Sequence, residues 1–187
     1  MTALRTTSRL LFSRPSLYLS GLGNKSPAPD SKIEELVNAA ILHVPSSFNT
    51  QSTRLIVLLH DSMRSCAIPK GTWEKQTLLK IQGLKAGVGT VLFYENPAHI
   101  KPLSEKFALY KDKFEAWAEH SNAMHQYFCD LARTYNPLID APVAKQWGIS
   151  PEWRLIAQLV FGSPEGAPGE KTFKPIEERV KIYGGGR

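Results

Sequence analysis

From Ile33 to Val44 apolar residues recur at helical spacing, as Ile33, Leu36, Val37, Ala40, Ile41 and Val44. They fall on one stripe, which predicts a helix laid against a core. Ser31 followed three residues later by Glu34 has the spacing of a capping box, so the helix is expected to start there. Pro45 ends the pattern, a polar segment runs to Ser52, and Arg54 to Leu59 reads as a buried strand, β-branched and too short for a helix. Pro69 to Gly71 marks a turn, and Trp73, Leu78, Ile81 and Leu84 predict a second helix. Val91 to Tyr94 predicts a second strand that closes at Glu95, Asn96 and Pro97.

A long helix is expected from Phe114, with Trp117, Met124, Phe128 and Leu131 as core or partner-helix contacts and Tyr127 in a second apolar row. Tyr135 to Pro137 breaks it. Asp140 starts a short helix that Gly148 closes, Trp153 to Phe161 reads as a strand, and Gly162 to Gly169 is a loop by composition. Beyond the loop, Phe173, Ile176, Val180 and Ile182 alternate with charged residues. Such an extended tail cannot bury itself, so it is expected to lie on the domain or on a second copy as an exchanged arm.

Composition narrows the class. The 187 residues are 42% hydrophobic, enough for one domain with a core. The net charge of +6 is spread along the chain, 23 basic residues among 17 acidic ones, with no basic run. A local phosphate pocket fits this better than a nucleic-acid track. Cys66 and Cys129 lack the spacing of a zinc or redox motif, so reduced buried cysteines and no metal are expected. No apolar run approaches the roughly 20 residues that span a bilayer. Residues 1–29 carry Arg5, Arg9, Arg14 and Lys25 with no acid before Asp30, a composition shared with mitochondrial transit segments. Residues 1–13 are accordingly read as a basic tail and 14–187 as the domain, with a cytoplasmic setting expected and a mitochondrial one as the alternative.

Candidate chemistry concentrates in Pro45 to Ser52, where short hydroxyl and amide side chains follow one another at a helix-to-strand junction. By local chemistry the segment is either a polar ligand site or an ordinary turn. Gly87 and Gly89 lack the third glycine and the following helix of a dinucleotide loop, so tight packing or a turn is expected there. His120 and His125 lie about 140° apart on a helix and cannot share a ligand; both read as surface or interface residues.

Five stretches together resemble the nitroreductase family, in its fungal and bacterial branch of short oxidoreductases: His43 to Arg54 (HVPSSFNTQSTR), Gly87 to Glu95 (GVGTVLFYE), Tyr135 to Asp140 (YNPLID), Leu155 to Gly166 (LIAQLVFGSPEG) and Phe173 to Lys181 (FKPIEERVK). The resemblance runs over most of Arg14 to Tyr183 and keeps the family's order. It implies an α+β, three-layer fold with a mostly antiparallel central sheet, an intertwined homodimer with an extended C-terminal arm, and one FMN per subunit. It also implies reduction of nitro-aromatic or quinone-type acceptors by NADPH or NADH in a ping-pong hydride exchange. Ser46, Ser47, Asn49 and Gln51 then resemble the segment that bonds the flavin ring and ribityl chain. Arg14, Ser16 and Arg179 resemble the groups that meet its phosphate, a role suited to the guanidinium fork. No protein nucleophile is implied, because the chemistry is flavin-borne. The chain departs from the family at Pro15, where a second arginine is usual, and is shorter than it between Ser65 and Cys66 and between Cys129 and Tyr135. The alternative implied by those departures is a flavin-poor, catalytically weak dimer that acts as a binding or regulatory scaffold.

Overall fold

The computed structural model describes residues 22–26, 28–64, 86–129, 140–164, 174–181 and 183. Several expectations fall outside them: the helix from Trp73, the side chains of Cys66 and Cys129, residues Arg14, Ser16, Phe173 and Ile182, and both shortened stretches. The chain divides into two units, Gly21–Glu165 and a second made of Met1–Ser20 with Gly166–Arg187.

In the first unit the elements are β1 (Leu22–Gly23), α1 (Asp30–His43), β2 (Thr53–Leu59), α2 (Asp61–Arg64), β3 (Gly89–Glu95), α3 (Pro97–Lys106), α4 (Phe114–Cys129), α5 (Asp140–Trp147), β4 (Arg154–Phe161) and β5 (Ser163–Pro164). The sheet has the order β2-β3-β4 and is antiparallel throughout, while β1 and β5 form a separate two-stranded pair. Val91 faces Val57 on one side and Leu159 on the other. Every residue of β3 is buried, as its β-branched and aromatic composition favours.

Alternation along β3 separates two cores. Leu92 and Tyr94 pack with Leu58, Val143, Ile149 and Leu155 on the α5 side, and Val91 and Phe93 pack with Val37 and Ala157 on the α1 side. The sheet is therefore the middle of three layers, the α+β arrangement expected. Each large side chain so buried stabilises by ~1.5–3 kcal/mol before chain entropy is counted. A third cluster of Ile100, Phe114 and Ala118 joins α3 to α4. At Gly89 a Cβ would lie 2.6 Å from Phe161 Cζ and 2.7 Å from the Leu58 carbonyl oxygen, so glycine is required by close packing.

Three expectations change. Helix α1 starts at Asp30 with Pro29 as its cap and no side-chain capping bond; the Pro29 carbonyl accepts from the amides of Lys32 and Ile33, so the Ser31–Glu34 box is not formed. Only Val37 and Ala40 of its stripe are fully buried, while Leu36 and Ile41 stay exposed. Helix α3 was not expected. Asn96 caps it by accepting from the Ala98 amide at 3.1 Å, and Pro97 occupies the first turn, where its missing N–H costs nothing. In the second unit the tail is not fully extended: Ile176–Glu178 form one 3-10 turn, and Ile176, Val180 and Tyr183 are exposed.

Among the described residues no helix is long and apolar enough to cross a membrane, and no group of three or more His, Cys, Asp or Glu could hold a metal.

Candidate functional site

The Val44 amide still bonds to the Ala40 carbonyl, and the chain then leaves α1 through Pro45 into a 3-10 turn, Ser47–Asn49. The turn is closed by its own polar groups. The amides of Asn49 and Thr50 donate to the carbonyls of Ser46 and Ser47 at 3.0 and 3.2 Å, and the Thr50 hydroxyl also donates to Ser47. Ser46 Oγ accepts from the Gln51 amide at 3.0 Å, and Gln51 Nε2 donates to Asn49 Oδ1 at 2.8 Å. Arg54 Nη1 donates to the Gln51 carbonyl at 2.8 Å, while its guanidinium lies 5.9 Å from the Trp153 ring centroid.

This geometry places Phe48, Asn49 and Gln51 at φ of 53°, 53° and 48°. Asn tolerates the left-handed region, but a bulky residue there is an outlier costing of the order of 1–3 kcal/mol. The surroundings offset that cost. The Phe48 ring has its centroid 4.7 Å from Phe107, 5.4 Å from Phe114, 5.8 Å from Trp117 and 5.9 Å from Tyr110.

A buried polar seam holds the two ends of the segment. Ser121 Oγ donates to the Pro45 carbonyl at 3.0 Å. On the strand side, the Asn96 amide donates to the Ser52 carbonyl at 3.0 Å, and Thr53 Oγ1 donates to Glu95 Oε1 at 2.8 Å. Asn122 Nδ2 donates to the same carboxylate oxygen at 2.8 Å and to the Tyr94 carbonyl at 3.3 Å. Glu95 and Asn122 are fully buried. His125, also buried, must carry its proton on Nδ1, because its partner at 2.8 Å is the Ser121 carbonyl, which can only accept. Burial lowers its pKa below the ordinary 6.5, opposed by that hydrogen bond and by the charge of Glu95.

The structure thus gathers Ser46, Ser47, Asn49 and Gln51 in one turn, the two serines half-buried and the two amides exposed. Arg179 lies in the second unit, exposed, with its amide bonded to Ile176. His120 is exposed as expected, but His125 belongs to the core. Phe48, Glu95, Ser121, Asn122 and His125 were missed as parts of this site. Their signal was spacing: Phe114, Trp117, Ala118, Ser121, Asn122 and His125 follow one face of α4, whereas Met124 and Tyr127 are exposed.

A family model described as the nitroreductase family matches residues 24–163, three quarters of the chain. The chain belongs to the nitroreductase family. It is similar to the nitroreductase CinD of Lactococcus lactis, solved with nicotinic acid, at 32% identity and TM-score 0.80, covering 94% of this chain and 98% of that one. CinD has also been solved with chloramphenicol and with 4-nitrophenol. A Saccharomyces cerevisiae protein named provisionally as nitroreductase HBN1 is 26% identical over 202 residues, 98% of this chain and 100% of the relative. That alignment is longer than the 187-residue chain, so this nitroreductase lacks counterparts for at least 15 of the yeast residues. A nitroreductase-fold protein of Exiguobacterium sibiricum, solved with FMN, shares the fold at TM-score 0.63 and 10% identity, over 88% of this chain and 91% of that one.

Proposed function

We propose that the chain is an FMN-dependent NAD(P)H oxidoreductase that reduces nitro-aromatic or quinone-type acceptors, and that it works as a homodimer. The observation that carries this reading is the turn from Ser46 to Gln51, which lies inside the family match and presents a ligand-ready set of groups. Among the described residues, Asn49 Nδ2, Gln51 Oε1 and the Ser47 hydroxyl make no hydrogen bond, leaving a donor, an acceptor and a hydroxyl open. That set fits the edge of a flavin ring and the hydroxyls of a ribityl chain. Ser46, Ser47, Asn49 and Gln51 would hold those parts, and Arg14, Ser16 and Arg179 the phosphate. When bound, FMN supplies the hydride chemistry between NAD(P)H and the acceptor. Aromatic acceptors are favoured by the complexes of CinD with 4-nitrophenol and chloramphenicol.

Flavin content tests the proposal. Purified protein is expected to be yellow and to bleach when NADPH is added; colourless protein that takes up no added FMN would reject it. That second outcome would favour a scaffold with little flavin, the reading to which the residues missing against the yeast relative point.

A further inference from the structure

We infer that Phe48 is a positioning residue: its ring, held in the aromatic cluster, keeps the turn that carries Ser46, Ser47, Asn49 and Gln51 in its left-handed form. The functional half of this inference rests on the proposed FMN site. Phe48 itself is 46% exposed, so hydrophobic burial alone does not explain a bulky side chain in the left-handed region. What fixes it is contact with anchored rings. Phe114 is 1% exposed at the start of α4, and Trp117 stacks on Phe48 with an interplanar angle of 25°. Freed of those contacts, Phe48 would return to an ordinary backbone region, and the bonds from Asn49 to Ser46 and from Gln51 to Ser46 Oγ would break with it. The turn is therefore set from two directions, by the ring inside the sequence of the site and by Arg54 on the Gln51 carbonyl.

The test compares Phe48→Gly with Phe48→Tyr. Glycine accepts φ of 53° without strain but frees the backbone, so Phe48→Leu, which keeps a Cβ and loses the ring stack, is measured beside it, and a loss shared by both variants comes from the ring. Two readouts are needed. Hydrogen exchange of the Asn49, Thr50 and Gln51 amides, measured without cofactor, is expected to speed up about tenfold or more in Phe48→Gly while the β3 amides stay unchanged. FMN affinity is expected to fall about tenfold in the same variant, and Phe48→Tyr is expected to restore both. Unchanged exchange in Phe48→Gly overturns the inference whether or not the parent protein binds FMN, so its failure is separable from that of the proposed function. Faster exchange with unaltered FMN affinity overturns the positioning role toward the cofactor. A raised KM for the acceptor, with exchange and FMN affinity untouched, overturns it in favour of a ring that meets the acceptor directly. If Phe48→Gly aggregates, Phe48→Leu alone carries the test with the same expected directions, because leucine keeps apolar bulk but not the ring stack.

Discussion

Helix α4 meets the candidate site in two ways along a single face. Its first turn offers Phe114 and Trp117 to Phe48, and its next two turns offer Ser121 to Pro45 and Asn122 to Glu95, with His125 bonded back to the Ser121 carbonyl. The aromatic contact is adaptable, since rings gain from many tilted geometries and lose modestly when one moves. The polar contact is not. Glu95 Oε1 takes both of its bonds from fixed donors inside the protein, and loss of either leaves a buried carboxylate short of partners. The difference suggests a division of labour in which the seam fixes where the segment is, and the rings fix its shape.

Substitutions can pull these roles apart. Asn122→Ala strips a donor from Glu95 and opens a small cavity, and is expected to lower folding stability by about 2–4 kcal/mol, read as a shift in denaturant midpoint; an unmoved midpoint would show that the seam is not structural. Trp117→Leu, on the aromatic side, is expected to cost about 1–2 kcal/mol, because the half-buried ring leaves apolar bulk behind. A loss as large as that of Asn122→Ala would erase the contrast between the two ends of α4. Ser121→Ala removes only the tie to Pro45 and should cost about 0.5–1.5 kcal/mol while raising amide exchange in the turn. Slower or equal exchange would sever the link between seam and turn.

The smallest effect concerns pH. The folded-state pKa of His125 lies below its ordinary 6.5, so the unfolded chain binds the proton more tightly. Its contribution is present above 6.5 and is lost as pH falls below it. Thermal melts from about pH 7.5 down to pH 5 are expected to drop more steeply for the parent than for His125→Gln, because only the parent must charge an imidazole in the core. Parallel curves would mean that His125 is hydrated after all.

Much of the frame was legible from residues alone. The runs of β2, β3 and β4 are rich in β-branched and aromatic residues, and Asp140 and Gly148 bracket α5; Gly148, at φ 60°, is the left-handed terminus that glycine supplies. The polar segment after α1 was recognisable as a candidate site because so many short polar groups precede a strand. What escaped was polar burial. Ser121, Asn122 and His125 look like a solvent face until Glu95 is known to lie opposite, and that pairing joins positions 27 residues apart in the chain. The dihedrals of Phe48 were equally hidden, because only rings brought from Phe107 to Trp117 make that conformation tenable. Helix α3 was readable in principle from Asn96 and Pro97, whose order is that of a cap and a first turn, but the same pair also ends a strand.

The central place of β3 has a consequence for synthesis. Its second partner, β4, runs from Arg154 to Phe161, so the sheet cannot be completed until the chain has been made through that strand. Until then β2 and β3 can form only a two-stranded ribbon, with one edge of β3 unpaired and Phe93 still lacking the Ala157 it packs against. Over that interval β3 is the strand left open on one side, and the late-arriving β4 covers that edge.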